Sequence, residues 1–293
     1  MLLDAEVPAV WQGLGLPGLI DVHVHFMPRQ VMDKVWAYFD AAGPLTGSPW
    51  PIAYRTEEDD RLTRLRAMGV LSFPSLVYAH KPGMAAWLNS WATDFARQHD
   101  DVLHTMTLFP EPDVLSYVTQ GLADGAQIVK VHLQVGAYDP REPVLDEVWG
   151  VLADAGIPVI THCGSGPTPG AFTGPGPFGE VLARHPNLTA VIAHLGMPEY
   201  GGFLDLAETY PRVHLDTTMA FTDFVEARMP FPTDLRPRLL DLGQRIVFGS
   251  DFPNTPHSYA HQVEVLQRLE LGDAWLREVL YGNALLLLKR APF

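Results

Sequence analysis

Hydrophobic and polar residues alternate in the segment IDVHVHF, residues 20–26. Isoleucine or valine alternates with aspartate or histidine, and this period of two predicts a β-strand. Successive side chains on a strand point to opposite faces, so His23 and His25 share one face. Two imidazoles on one side of a strand can hold a metal ion together. The alternative is a pair of polar residues on a solvated face, but Phe26 and the three aliphatic residues make the segment too apolar for an edge strand.

Further apolar runs follow, and segments of helical period separate them. The runs cover residues 20–26, 70–78, 102–109, 128–134, 157–163, 188–196, 212–218 and 245–252. Strands that alternate with helices, at this number and chain length, predict an α/β fold of the (β/α)8 TIM-barrel class. An open doubly wound sheet is the alternative, but no Gly-x-Gly-x-x-Gly motif follows an early strand. No linker divides the chain, so we expect residues 1–293 to form one domain with a short N-terminal lead-in.

Two helices and one loop can be located from their boundary residues. Pro28 opens a predicted helix that continues through Tyr38. The segment TEEDDRLTRLRAMG predicts a second helix with Thr56 as its N-cap and Gly69 as its end. The stretch 164–179 is rich in glycine and proline and directly follows the fifth predicted strand. Loops after barrel strands surround the active site, so we interpret this stretch as a lid or pocket wall.

Composition excludes several classes of function. The net charge of −14 argues against a nucleic-acid surface, which needs clustered lysine and arginine. The single cysteine, Cys163, excludes an internal disulfide framework and fits a reducing compartment. No signal peptide and no apolar stretch of membrane-spanning length are evident, so we expect a cytoplasmic protein with a small-molecule substrate. The sequence leaves homo-oligomer formation open.

Polar residues recur at the ends of the predicted strands, where a barrel interior needs valine, isoleucine and leucine. Burying such groups without partners costs several kcal/mol each, and a bound divalent cation removes that cost. A single histidine at a strand end is an ordinary hydrogen-bonded residue in most proteins. A set that converges on one mouth of a barrel instead predicts a metal site. Besides His23 and His25, the set comprises Lys130, His132, His162, His194 and Asp251.

The chain resembles the amidohydrolase superfamily, in particular the amidohydrolase-related branch that includes aminocarboxymuconate-semialdehyde decarboxylase. The resemblance rests on the motifs IDVHVHFMP, THCGSG, AVIAHLG, LDTT, IVFGSDFP and YGNALLLL, which extend from residue 20 to about residue 288. The resemblance implies that His23, His25, His162 and Asp251 are metal ligands. It also implies that His194 is a second ligand residue in two-metal members and a catalytic residue in one-metal members.

The fourth predicted strand carries Lys130 and His132, which lie two residues apart and therefore point the same way. Two-metal members of the superfamily carry a carboxylated, metal-bridging lysine on this strand. We favour instead a Lys130 that is held by a carboxylate or binds substrate, and hence one metal ion rather than two. Imidazole and carboxylate ligands suit Zn²⁺, and Mn²⁺ or Fe²⁺ accepts the same set.

The predicted function is that of a metal-dependent hydrolase, in which a metal-bound hydroxide cleaves an amide, lactone or ester of a small molecule. Asp251 and His194 are its predicted catalytic residues, and Lys130, His132 and Arg29 are candidates for substrate binding. The alternative is a metal-dependent, non-oxidative decarboxylase (a lyase) of an unsaturated or aromatic carboxylic acid. A nuclease barrel is disfavoured by the acidic charge. The intact ligand set disfavours a non-catalytic binding protein.

Overall fold

The computed structural model describes the backbone of residues 1–293 and every side chain except that of Leu45. Over this backbone there are nine strands, all of them short. They are β1 (Leu19–Ile20), β2 (Val70–Pro74), β3 (Val102–Leu103), β4 (Thr105–Thr107), β5 (Ile128–His132), β6 (Val159–His162), β7 (Ala190–Ile192), β8 (Val213–Asp216) and β9 (Ile246–Val247).

Helices occupy most of the chain between the strands. The α-helices are α1 (Val7–Gly13), α2 (Arg29–Ala41), α3 (Gly43–Thr46), α4 (Glu58–Ala67), α5 (Ala85–Gln98), α6 (Val114–Ala123), α7 (Leu133–Gly136), α8 (Pro143–Ala155), α9 (Pro175–Arg184), α10 (Tyr200–Thr209), α11 (Asp223–Glu226), α12 (Arg236–Asp241), α13 (Tyr259–Gln267), α14 (Asp273–Arg277) and α15 (Asn283–Leu287). Short 3₁₀ segments cover Asp4–Glu6, Ala193–Gly196, Thr233–Leu235 and Gly243–Arg245, and a π-helical turn covers Glu278–Gly282. Among the described residues, no helix is both long and apolar enough to cross a membrane.

The chain divides into two compact units, and the first comprises Met1–Phe73 with Asp216–Phe293. Its backbone ladder is parallel and centres on the first strand segment. On one side β1 pairs with β2, and on the other Val24 pairs with Phe252. The amide of Thr217 continues the ladder by donating to the carbonyl of Val247, at 3.0 Å. The apolar residues of the alternating segment, including Phe26, are fully buried beneath this ladder.

The second unit comprises Pro74–Leu215. Strands β4, β5, β6, β7 and the first three residues of β8 pair in chain order, and every pair is parallel. The connecting helices bury one apolar face each, as in α8, where Trp149 is fully buried and donates its indole N–H to the carbonyl of Pro140. Parallel strands joined by helices in strict sequence order are the arrangement of a (β/α)8 barrel. The expectation of a single domain stays a prediction.

The predicted strands are in the right places, but they are too long. The run 102–109 is two strands, because the N–H of His104 donates to the side chain of Gln127 and leaves the ladder. The run 20–26 begins in β1, which ends at Ile20. After β1, the carboxylate of Asp21 accepts the N–H groups of His23 and Ser250. Side-chain acceptors of this kind replace strand partners, and a periodic pattern does not reveal them.

The helix predictions were correct except at one boundary. Helix α2 begins at Arg29, directly after Pro28, as predicted. Helix α4 has Glu57 rather than Thr56 at its N-cap position, and no side chain caps it by a hydrogen bond. Three acidic residues in its first turn interact favourably with the helix dipole instead. Gly69 follows the helix with φ of +82°, as a residue that ends a helix in the left-handed conformation should.

Gly196, which follows β7, is a backbone position where we expect only glycine to fit. Its φ is +73°, and an added Cβ would collide with the ring of Phe203. Gly196→Ala should therefore destabilise the protein by roughly 2–4 kcal/mol, from left-handed strain together with overpacking. Gly176→Ala is the matched control, because a Cβ there meets nothing within 4 Å. Urea unfolding should place the control within about 1 kcal/mol of the wild type, and equal stability of the two variants would contradict the assignment.

Candidate metal centre

Three of the predicted ligands come together in the first unit. The carboxylate Oδ1 of Asp251 lies 3.0 Å from Nε2 of His25 and 3.7 Å from Nε2 of His23. The potential ligand atoms of the three residues all lie within 4.8 Å of one another. Both histidines are buried, whereas the side chain of Asp251 keeps 14% of its surface exposed. The group therefore has two buried nitrogen donors and one oxygen donor that solvent can reach.

Backbone hydrogen bonds hold these three residues in place. The N–H of Asp251 donates to the carbonyl of His23 at 2.9 Å, and the N–H of His25 donates to the carbonyl of Phe252 at 2.7 Å. The two chain segments thus run side by side, with the parallel bridge between Val24 and Phe252 in the middle. Because the pairing alternates, His23, His25 and Asp251 are brought to the same side of the ladder.

Asp251 has a backbone conformation that L-residues adopt rarely, with φ of +69°. Non-glycine residues in this region are strained, and they persist where the surrounding structure over-determines them. Hydrogen-bonded neighbours hold Asp251 in this conformation, since its carbonyl also accepts the N–H of Asn254 at 2.9 Å. Gly249 lets the segments approach, because a Cβ there would lie 2.7 Å from Cβ of His23. The turn therefore aims the carboxylate at the histidines.

Asp216 orients His23, and sequence reasoning assigned no role to it. Its Oδ2 accepts a hydrogen bond from Nδ1 of His23 at 2.8 Å, and both side chains are buried. Its Oδ1 accepts the N–H of Thr218 at 3.1 Å, which fixes the carboxylate in turn. The motif LDTT contains this aspartate at the end of an apolar run, and that position was the available signal. The contact itself joins residues 193 positions apart.

A second buried carboxylate, Asp21, lies beside the same segment. Its Oδ1 accepts the N–H of His23 at 3.0 Å and that of Ser250 at 3.2 Å. Complete burial raises the pKa of Asp21 to about 7, and hydrogen bonds to the carboxylate limit the rise. Asp21 therefore supports the backbone on which both histidines and the turn before Asp251 are built.

The donor set fits a divalent metal ion. A metal-ligating histidine usually donates its second ring N–H to a carboxylate, which fixes the tautomer and raises the basicity of the other nitrogen. His23 has this arrangement, because its Nδ1–H donates to Asp216 and its Nε2 faces Asp251. Two imidazoles and a carboxylate are ligands that Zn²⁺, Mn²⁺ and Fe²⁺ accept. His23, His25 and Asp251 would hold the ion.

The second unit brings the other predicted histidines together. The rings of His132 and His162 stack with centroids 4.1 Å apart, and those of His162 and His194 lie 4.7 Å apart. His162 donates Nε2–H to the carbonyl of Gly166 at 2.9 Å, so it would bind a metal through Nδ1. His194 has a left-handed φ of +58° in the turn after β7. That His162 and His194 join the first three residues in one centre stays a prediction.

The remaining predicted site residues differ in their surroundings. Lys130 lies in β5 and is fully buried, and Nδ1 of His132 accepts the N–H of Val135 as the cap of α7. Arg29 is exposed, and its guanidinium is paired with Asp33 and Glu57 at the surface of the first unit. The substrate-binding roles of the three residues stay predictions. The glycine- and proline-rich stretch 164–179 contacts His162 through the carbonyl of Gly166, and its role as a lid or pocket wall stays a prediction.

Removing the carboxylate of Asp216 should weaken metal binding, because it leaves His23 without its orienting partner. Loss of such a partner typically costs about 10–100-fold in metal affinity. We expect this loss in Asp216→Ala and a smaller one in Asp216→Asn, which keeps an acceptor oxygen. Competition with a chelating dye measures the affinity for Zn²⁺ and Mn²⁺, and circular dichroism checks the fold. Wild-type affinity in a folded Asp216→Ala protein would show that the contact does not tune the ligand.

Comparison with known proteins agrees with this geometry. The family model described as amidohydrolase matches residues 20–290. None of the curated protein sequences compared with the chain matches it significantly. An uncharacterized TIM-barrel protein from Bordetella bronchiseptica superposes with a TM-score of 0.74 at 20% identity, covering 93% of this chain and 98% of its own.

Two solved enzymes have the same fold. A 2,6-dihydroxybenzoate decarboxylase in complex with 2,6-dihydroxybenzoate has a TM-score of 0.68 at 16% identity, with 94% of this chain and 99% of its own covered. A probable 2-pyrone-4,6-dicarboxylic acid hydrolase from Acinetobacter baumannii has a TM-score of 0.60 at 14% identity, with coverages of 93% and 99%. These likenesses confirm the predicted (β/α)8 fold class, and the family model confirms the resemblance found in the motifs. The chain therefore belongs to the amidohydrolase family and is a metal-dependent enzyme of its amidohydrolase-related branch.

Proposed function

We propose that the protein is a hydrolase that cleaves an amide, lactone or ester of a small molecule. The observation that carries this proposal is the position of Asp251, whose carboxylate lies within reach of two buried imidazoles and is itself partly exposed. A carboxylate in that position can accept a proton from a water molecule that enters from solvent. It can then deliver the proton to the leaving group.

We further propose one Zn²⁺ ion as the resident metal, with Mn²⁺ or Fe²⁺ as alternatives. His23, His25 and Asp251 supply three ligands, and the family resemblance assigns His162 as a further one. When bound, the metal lowers the pKa of a coordinated water and polarises the bond to be cleaved. The chain's own contribution is to hold the imidazoles in the correct tautomer through Asp216 and to keep the proton acceptor close.

His194 is the proposed second catalytic residue. Its ring is buried against that of His162, and its strained turn leaves the side chain little freedom. An imidazole held in this way can stabilise the negative charge that develops on the carbonyl oxygen. Lys130 is proposed as a substrate-binding residue, because its ammonium group is buried in the same unit as His162 and His194.

Decarboxylation is the second candidate function, and one observation favours it. The similar 2,6-dihydroxybenzoate decarboxylase acts on an aromatic carboxylic acid, and this chain has a buried lysine on β5 that can attract a carboxylate. In that reaction an acid protonates the carbon that loses CO₂, and Asp251 or His194 would supply the proton. The hydrolase proposal assigns the same residues to the transfer of a water-derived proton.

The variant Asp251→Asn tests the role of the carboxylate in either reaction. Asparagine keeps an oxygen ligand but cannot accept a proton, so some metal should remain bound while turnover falls. Removal of a positioned acid–base group costs on the order of 10²–10⁴-fold, and loss of the ligand charge adds to that. Elemental analysis and steady-state kinetics measure the two effects. A metal-loaded Asp251→Asn enzyme with wild-type kcat would exclude Asp251 as the proton carrier.

Isotopic labelling distinguishes the two reactions. Turnover in ¹⁸O-labelled water should place label in the new carboxylate or alcohol if the enzyme is a hydrolase. A decarboxylase run in deuterated water would instead release CO₂ and place deuterium on carbon. Mass analysis of the products of the metal-loaded enzyme, with metal-free protein as control, measures both. Release of CO₂ without ¹⁸O incorporation would reject the hydrolase proposal.

A further inference from the structure

The turn that follows β6, residues 164–166, holds the ring of His162. Nε2–H of His162 donates to the carbonyl of Gly166 at 2.9 Å, and both residues are buried. A ring nitrogen that donates to a carbonyl carries the proton, so in the neutral imidazole the other nitrogen, Nδ1, has the electron pair that a metal ion needs. The position of the Gly166 carbonyl therefore decides which nitrogen of His162 can be a ligand.

This turn is attached to the turn that follows β7, residues 193–199. The N–H of Gly166 donates to the carbonyl of Met197 at 3.0 Å. The N–H of Ser165 donates to Oε2 of Glu199 at 3.0 Å. The two turns approach so closely that a Cβ on Gly164 would lie 2.5 Å from the carbonyl oxygen of Met197. The turn 193–199 therefore supports the turn 164–166 through two hydrogen bonds, and one of these is to a side chain.

The supporting turn also contains His194. The carbonyl of His194 accepts the N–H of Met197 at 3.0 Å, and the N–H of Glu199 donates to the carbonyl of Gly196 at 3.0 Å. These bonds fix the backbone from which the Glu199 carboxylate extends. The rings of His162 and His194 lie 4.7 Å apart. The contact between Glu199 and Ser165 thus joins the backbone segments that carry two of the predicted site histidines.

The carboxylate of Glu199 does not serve its own helix. Glu199 occupies the N-cap position of α10, but its side chain makes no capping hydrogen bond there. The first N–H groups of a helix have no intrahelical partner, and an oxygen of the N-cap side chain is their usual acceptor. Here the side chain contacts the turn beside His162 instead of the first turn of α10.

We propose that Glu199 is a positioning residue for His162, which holds the turn 164–166 so that the Gly166 carbonyl stays on Nε2 and Nδ1 stays available to the metal ion. This inference rests on the proposed function, in which His162 is a metal ligand. A hydrogen bond from a backbone N–H to a carboxylate is charge-assisted and stronger than a neutral one, so its loss loosens the turn. Metal-ligating histidines commonly donate their second N–H to a backbone carbonyl, and Glu199 keeps that carbonyl in place.

NMR of the ring N–H protons of the full chain, recorded with and without Zn²⁺, tests the proposal. The Nε2–H resonance of His162, assigned by its absence from His162→Gln, should exchange slowly with water in the wild type, because it is buried and hydrogen-bonded. In Glu199→Ala its exchange should be faster by about 10-fold, the equivalent of one charge-assisted hydrogen bond. The indole N–H of Trp149, which donates to the carbonyl of Pro140 in the same unit, should exchange at its wild-type rate. Glu199→Gln keeps an acceptor oxygen and should retain most of the protection.

Glu111→Ala is the matched control. Glu111 also accepts a backbone N–H, that of Gly83 at 2.6 Å, but it supports a different loop of the same unit. Its removal should leave the exchange of the His162 proton unchanged. An equal effect of Glu111→Ala and Glu199→Ala on this proton would overturn the proposal.

General destabilisation gives a different result from loss of positioning. Faster exchange of both the His162 and the Trp149 protons in Glu199→Ala would show a merely structural role and would overturn the proposal, as would unchanged exchange of the His162 proton. If Glu199→Ala does not fold, Glu199→Asp replaces it. Its side chain is shorter by one methylene, which withdraws the carboxylate from Ser165, so the faster exchange should persist, and wild-type exchange in this variant would contradict the proposal.

The affinity for Zn²⁺, measured by competition with a chelating dye, is the second readout. Glu199→Ala should bind Zn²⁺ about 10-fold more weakly, at the lower end of the range for loss of a ligand's orienting partner. Glu199→Gln and Glu111→Ala should bind it nearly as the wild type does. Wild-type affinity in Glu199→Ala would overturn the proposal even if the His162 proton exchanges faster.

Failure of this inference can be distinguished from failure of the proposed function. Zn²⁺ should shift the ¹⁵N resonance of Nδ1 of His162 if this residue is a ligand. Such a shift, together with exchange that does not depend on Glu199, would reject the positioning role alone. Exchange that depends on Glu199, without a Zn²⁺-induced shift at Nδ1, would reject the ligand assignment of His162 in the proposed function.

Discussion

The hydrogen bond between His23 and Asp216 is the interaction on which the candidate metal centre depends. It is buried, charge-assisted and 2.8 Å long, and it joins the beginning of the chain to the end of β8. Without it, the buried imidazole of His23 could adopt either tautomer, and its Nε2 would not be kept unprotonated for metal binding. The same contact ties together two segments that lie far apart in sequence, so it serves both folding and function. The first unit is organised around it.

Local backbone strain occurs at two of the predicted site residues. Asp251 and His194 both have left-handed backbone conformations, which cost of order 1–3 kcal/mol each. The carbonyl of His194 accepts the N–H of Met197 at 3.0 Å, and the N–H of Asp251 donates to the carbonyl of His23 at 2.9 Å, so the surrounding structure maintains both conformations. At Asp251, a relaxed, extended backbone would point the carboxylate away from the two histidines that it faces at 3.0 and 3.7 Å. The strained backbone therefore fixes the direction of each side chain.

Buried charge is a second feature of the structure. Asp21, Lys130 and Arg61 are all buried to 3% exposure or less. Asp21 is used by the backbone of the histidine segment, and its raised pKa reflects the burial that this use requires. The guanidinium of Arg61 lies over the rings of Phe26 and Trp36, 5.2 and 5.4 Å from their centroids.

The sequence by itself determined the fold class, the family and the identity of the central histidines and aspartate. Period-two and helical patterns are local properties, and short motifs such as HVH and GSD carry their chemistry within a few residues. Strand ends, partners and burial were decided only in the tertiary structure. Asp216 lies 193 residues from His23, Arg61 is buried while the nearby Arg29 is exposed, and Asp251 is aimed by a turn that pairs with His23. Each depends on contacts between residues distant in the chain, and a local pattern does not record which distant group will supply the hydrogen bond.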